Sequence, residues 1–403
     1  MLTLVDLRGY TGNPLERLPR AAVDREAARD SVRVLVADVR ANGDLAVHEA
    51  SERFGGSPHE PSRITGEQVV AASENLAPEL FGALQAAADR IRAYHEAQLS
   101  EERAPWWRIG PDGMRVGEET RPLRRVGCYV PGGRAAYPST ALMTVLPAVL
   151  AGVEEVVACV PGAPDGSGIS PATLAALGVA GATEVYECGG AQAVAAMAYG
   201  TETIPRVDKI VGPGSLWVAL AKHEVALDVG VDSFAGPTEV AIIADGSVPA
   251  AFIAADLVAQ AEHDPLATPL LITWDEDVVR AVEDALAGEL DDVARREDVE
   301  AALKGQGAAV VVDDLEHAIA VANAFAPEHL ELCIADAESA LPKIRTAGAA
   351  RFASPLRVAD FIKSTAVIQF DRAGVETVAP ALLAVARAEG LTAHARAIEM
   401  RLT

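Results

Sequence analysis

Residues 125–162 read RVGCYVPGGRAAYPSTALMTVLPAVLAGVEEVVACVPG. A β-branched run ends in Pro-Gly-Gly, an Ala/Leu-rich stretch of helical length follows, and a second β-branched run ends again in Pro-Gly. Strand, crossover helix, strand is the parallel βαβ unit, because parallel neighbours cannot be joined by a tight turn. The same texture runs on through TEVYECGG (183–190), AQAVAAMAYG (191–200) and DKIVGPG (208–214). It resumes in TEVAIIADG (238–246), AAFIAADLVAQAEH (250–263), PLLITWDE (269–276) and VVRAVEDALAGEL (278–290). Two α/β sheets with a joint near residues 229–237 follow from this pattern. GAAVVVDD (307–314) and HAIAVANAFAPEHLELCI (317–334) add strand, helix and strand, and PALLAVARAEGLTAHARAIEMRL (380–402) closes the chain with helices. Upstream, residues 20–98 repeat apolar positions at three and four, as in AARDSVRVLVADVRANGD (27–44), and predict a helical lead-in.

Composition agrees with that architecture. A chain of 403 residues exceeds what one core usually organises, and 50% apolar against 23% charged residues is a globular balance. The 34 Lys+Arg against 58 Asp+Glu leave −24 at pH 7, a field that repels phosphate backbones and anionic membrane surfaces. Nucleic acid and membrane are therefore excluded as expected partners. The opening MLTLVDLRGY shows no basic segment leading into an apolar run, and Cys128, Cys159, Cys188 and Cys333 are widely spaced. Both features predict a cytoplasmic protein whose thiols are reduced and serve as small core hydrophobes.

Open parallel sheets bind ligands beyond the carboxyl ends of their strands, where glycine turns admit phosphate and helix N-termini supply positive dipoles. Three turns fit that place: VPGGRAAYPST (130–140), ECGGAQA (187–193) and VGPGSLW (211–217). In the last, Gly212 and Gly214 are followed by Trp217 where the dinucleotide fingerprint asks for glycine, so no complete G-x-G-x-x-G is present. Singly each reads as an ordinary turn; three together leave turns and an anion site evenly balanced.

In DLVAQAEHDP (256–265), Gln260 and His263 stand three apart on a predicted helix and share a face that can hold one metal ion. Alone, the pair reads equally as a helix C-terminus with its histidine against the dipole. APEHLEL (326–332) puts Glu328 and His329 between a helix and a strand, where a histidine can take a proton near neutral pH and the adjacent carboxylate can orient it. Glu389 and His394 sit near the carboxyl terminus on a predicted short helix. The other histidines, His48, His59, His95, His223 and His317, are expected at the surface.

Taken together, VGCYVPGGRAAYPST, GGAQAVAAMAYGTE, VDKIVGPG, VDSFAGPTEVAIIAD, ADLVAQAEHDPLA, FAPEHLEL and EGLTAH, in this order, resemble the histidinol dehydrogenase family over nearly the whole chain. The resemblance implies an α/β fold of two Rossmann-like parallel-sheet domains with a helical N-terminal region and small C-terminal helical segments. It implies a zinc-assisted, NAD-dependent oxidation of L-histidinol through L-histidinal to L-histidine, and a homodimer with intertwined subunits. Carried over by residue, Gln260, His263 and a partner-donated His394 are zinc ligands. Glu328 and His329 are the acid/base pair. Thr238, Gln260, His263, His329, Glu389 and His394 meet the amino alcohol, and Tyr129, Gln192 and Ser215 line the cofactor. The expected domains are 1–25 with 125–238 on the cofactor side, 26–124 with 239–350 as the second unit, and 351–403 as dimer-contacting segments.

Two departures stand out. Between KIRTAGA (343–349) and ARFASPL (350–356) the family carries a longer stretch with an aspartate zinc ligand and a substrate-contacting histidine, whereas here Ala349 joins Ala350 directly. The remaining donors include no anion, so the alternative of a relative with another alcohol substrate, or a silent dimeric binding protein, stays open on sequence alone. Ser215 stands where the family usually has Asn, a shorter hydrogen-bonding arm.

Overall fold

A computed structural model describes residues 2–19, 25–54, 61–102, 105–110, 114–132, 135–232, 238–291, 293–345 and 354–403. Two sheets carry the chain. The first has six strands in the order Ser62–Ile64, Glu184–Glu187, Glu155–Val160, Arg125–Tyr129, Lys209–Val211 and Gly230–Val231, parallel except for the antiparallel edge Ser62–Ile64. The second has five, all parallel: Thr3–Asp6, Ala308–Val311, Thr268–Thr273, Glu239–Ala244 and His329–Cys333.

Strands covered on both faces read as continuous apolar runs, and these do. Along Glu155–Val160, Val157 and Cys159 enter one core while Val156, Ala158 and Val160 enter the core on the opposite face. In the second sheet Val240, Ile242 and Ala244 face the helices Ala250–Ala261, Glu276–Glu289 and Arg296–Gly305. Ala241 and Ile243 face Leu315–Phe325. Each fully buried Val, Leu or Ile contributes roughly 1.5–3 kcal/mol, which makes these four cores the main source of stability. Cys128, Cys159 and Cys188 are buried as small hydrophobes, whereas Cys333 is only half-buried. His95 corrects the surface expectation: it is buried in Pro78–Glu101, with Nδ1 2.9 Å from Gln98 Oε1.

The early segments are exchanged relative to the domain limits expected from sequence. Thr3–Asp6 joins the second sheet, in register with Ala308–Val311, and not the first. The helix Arg25–Asn42 packs on the first sheet instead, where Val32, Val36 and Val39 form a stripe against the small-residue surface Ala193–Ala198. Pro78–Glu101 likewise buries Leu84 and Ala88 with Pro138–Leu150 on that sheet's other face. A helical stripe this narrow fits an alanine-rich neighbour closely, and that complementarity decides the placement.

A third, antiparallel sheet joins Trp106–Ile109, Arg115–Pro122 and Ile362–Gln369. Beyond it, Arg372–Ala388 and Thr392–Met400 pack on each other across a turn in which Gly390 has φ +71° and Leu391 N–H donates to Ala386 C=O. Leu382, Val385, Leu391 and Met400 of this hairpin are exposed. No described helix is long and apolar enough to cross a membrane.

Candidate active site

The expected cofactor residues gather at the carboxyl edge of the six-stranded sheet. Tyr129 closes the strand Arg125–Tyr129, and its hydroxyl accepts from Gly190 N–H at 3.1 Å, leaving its own proton to donate. Burial pushes that phenol up to about 12. Gly190 has φ +70°, and a Cβ on Gly189 would lie 2.4 Å from Pro161 Cβ, so only glycine lets this turn close. The helices Gly190–Tyr199 and Leu216–Val225 both start here; neither is capped by the side chain of its N-cap residue, although the first gives Gly190 N–H to Tyr129, and exposed Ser215 is the residue preceding the second. Such termini are ready-made anion sites. Gln192 is buried and donates from Nε2 to Ser51 Oγ at 3.3 Å; Ser51 in turn donates to Val47 C=O at 2.9 Å. Ser51 lies in a distant helix, and no motif marks it in the sequence.

The expected catalytic residues gather at the opposite kind of edge. Thr238 immediately precedes Glu239–Ala244, His329 opens His329–Cys333, and Val240 is the register partner of His329. This is the amino edge of the five-stranded sheet, contrary to the carboxyl-end location that the general rule for open sheets suggests. The helix Ala250–Ala261 runs back along the strands and delivers buried Gln260 in its last turn. The helix stops at Ala261, so His263 lies in the turn beyond it, with its N–H on Gln260 C=O at 3.3 Å.

Thr238 Oγ1 links the group. It accepts from Gln260 Nε2 in a short hydrogen bond and donates to Glu328 Oε2 at 2.7 Å. The other carboxylate oxygen, Glu328 Oε1, is 3.9 Å from His329 Nε2. Because the Gln260 amide nitrogen is spent on Thr238, its carbonyl oxygen is the atom left to meet a ligand. Glu328 and His329 are both exposed. Two residues earlier, Ala326 has φ +54°, the one positive-φ non-glycine among the described residues, and it turns the chain from Leu315–Phe325 toward Glu328 and His329. Backbone held in that region costs on the order of 1 kcal/mol or more and is typical of sites the surrounding packing over-determines.

Sequence reading missed a second carboxylate contact nearby. Glu331 shares the strand face of His329, and burial together with Asp256 of Ala250–Ala261 pushes its carboxyl up to about 7. Asp256 precedes Gln260 by one helical turn, the only signal available beforehand.

Glu389 and His394 lie exposed on the C-terminal hairpin. No hydrogen bond or ion pair among the described residues joins them to the Thr238 group. Among the described residues no cluster of three or more His, Cys, Asp or Glu forms a metal site. The junction of Ala349 with Ala350 lies outside the described residues.

Comparison with known proteins follows this layout. The family model described as histidinol dehydrogenase matches residues 18–350 and 346–402, two stretches that meet at that junction. The histidinol dehydrogenase of Aromatoleum aromaticum is 45% identical over 394 residues, covering 90% of this chain and 89% of that protein. That of Moorella thermoacetica is 43% identical, covering 94% and 95%. A crystal structure of the enzyme from Elizabethkingia anophelis superposes with a TM-score of 0.91 at 30% identity, covering 100% of this chain and 98% of that one.

Proposed function

The chain belongs to the histidinol dehydrogenase family, and on that premise we propose which of its residues perform the family's NAD-dependent oxidation of L-histidinol to L-histidine in histidine biosynthesis. The identity extends over nearly the full chain, which favours this activity over a silent or redirected relative. The observation that carries the residue assignment is the hydrogen-bonded Gln260–Thr238–Glu328 series beside His329.

Zinc suits the donors at this edge. Gln260 offers a carbonyl oxygen, His263 an imidazole, and the helix C-terminus beside them a partial negative charge that favours a cation. His394 from a second copy completes the set, which is the role we give the exposed C-terminal hairpin in a cytoplasmic homodimer. When bound, NAD supplies the hydride acceptor for both oxidation steps and zinc supplies a Lewis acid for the substrate oxygen. The dinucleotide fits the other edge, where two helices begin with no cap from their N-cap side chains and glycines bring backbone close.

The chain's own residues then divide the proton work. His329 Nε2 takes the proton of the substrate hydroxyl. Glu328 is fixed through Oε2 by the Thr238 hydroxyl and turns Oε1 toward His329, so it orients the base in the alcohol step and takes a proton from water in the aldehyde step. Thr238 and Glu389 contact the substrate, and Tyr129, Gln192 and Ser215 border the cofactor. The −24 net charge favours a cationic amino alcohol over an anionic one. Counting NADH against limiting histidinol tests the reading. Two NADH per histidinol with histidine as product is expected; no NADH, or one with accumulated aldehyde, contradicts it.

A further inference from the structure

Behind the cofactor edge lies an ion pair that the oxidation does not use. Lys222, in Leu216–Val225, and Asp232, just past Gly230–Val231, are both largely buried and paired with each other. Between them they hold both hydrogen-bonding groups of one residue. Asp232 Oδ2 accepts from Gly212 N–H at 2.7 Å, and Lys222 Nζ donates to Gly212 C=O at 2.9 Å. Gly212 has φ +115°, and a Cβ there would lie 2.1 Å from the carbonyl oxygen of Tyr129. It opens the turn 212–215 that leads into the uncapped N-terminus of Leu216–Val225.

Burying such a pair is costly, and an apolar pair of similar volume often stabilises as well or better. Its use here is geometric: it grips a peptide unit in a backbone state that an unliganded glycine leaves freely. We propose that Lys222 and Asp232 are positioning residues for the dinucleotide, presetting the Gly212–Ser215 turn so that cofactor affinity, not the chemical step, depends on the pair. This rests on the reading that the turn borders NAD. The pair touches neither Thr238 nor His329 by any hydrogen bond or ion pair among the described residues, so the two edges are separable.

The test is steady-state kinetics on three variants beside the parent enzyme, with thermal melts. Lys222→Met/Asp232→Leu removes the grip while filling the space. It is expected to raise KM for NAD about tenfold, with kcat at saturating NAD and KM for histidinol within about threefold. Asp232→Asn keeps an acceptor for Gly212 N–H and is expected to shift KM for NAD less than the double variant. If the double variant fails to fold, Asp232→Asn decides alone: a selective rise in KM for NAD supports the pair, and an unchanged value overturns it. A folded double variant with unchanged KM for NAD, or one losing kcat and histidinol affinity in equal measure, also overturns the proposal. Ser215→Glu, which adds an anion at an exposed position of the same turn without touching the grip on Gly212, separates the premise from the inference. If it leaves KM for NAD unchanged, the turn does not border the cofactor; if it alone raises KM, the turn does and the pair is dispensable.

Discussion

The two sheets of this enzyme offer their ligands opposite ends. At the carboxyl edge of the six-stranded sheet, helices begin: Gly190–Tyr199 and Leu216–Val225 start there with their positive dipole ends, framed by glycines and uncapped by their N-cap side chains. At the amino edge of the five-stranded sheet, a helix ends: Ala250–Ala261 brings Gln260, then His263, with the negative end of its dipole. The first edge suits phosphate and the second suits cations, a zinc ion or a protonated amino alcohol. On the proposed assignment, one edge recognises with backbone and the other with side chains. A single rule about strand ends therefore agrees with the edge proposed for the cofactor and not with the edge proposed for the chemistry.

The largest effect that could break this division lies at the second edge. His329→Asn should lower kcat by about 10²-fold or more with little change in KM for NAD, measured by NADH formation at saturating histidinol. An unchanged rate would move the base elsewhere. Thr238→Val should be milder, lowering kcat/KM for histidinol about tenfold, because it leaves the buried Gln260 amide unpaired and frees Glu328. If Thr238→Val instead altered KM for NAD alone, the edges would not be separate.

The smallest effect concerns Glu331, whose carboxyl is held at about 7 against an ordinary 4.5. A raised folded value means the folded state keeps a proton the unfolded chain releases. Its contribution is thus complete below about 4.5 and is lost as pH rises through about 7. Glu331→Gln should flatten the fall in melting temperature across that window. A fall as steep as the parent's would show that Glu331 does not hold the proton.

Much of this was legible beforehand, for local reasons. Val156–Val160 and Val240–Ala244 announce buried parallel strands because both faces are apolar, and Gly189, Gly190 and Gly212 mark turns that only glycine closes. Glu328 and His329 were placed between helix and strand, where they are found. What escaped depends on contacts between distant segments. Nothing within Thr3–Asp6 specifies Ala308–Val311 as its partner, and nothing near Gln192 points to Ser51. The Asp256–Glu331 and Lys222–Asp232 contacts join elements whose packing must be known first. His95 looked like a surface residue because charged neighbours surround it in sequence, yet it faces inward in the helix.

The central claim is that the amino edge holds a divalent cation through Gln260 and His263. Zinc content of the purified enzyme, set against that of Gln260→Ala/His263→Ala, tests it most directly. About one zinc per chain is expected in the parent after incubation with the metal, since neutral donors bind more weakly without a carboxylate, and little in the variant, with both metal-free forms still folded by their cooperative melts. Equal zinc in both would place the metal elsewhere and contradict the account.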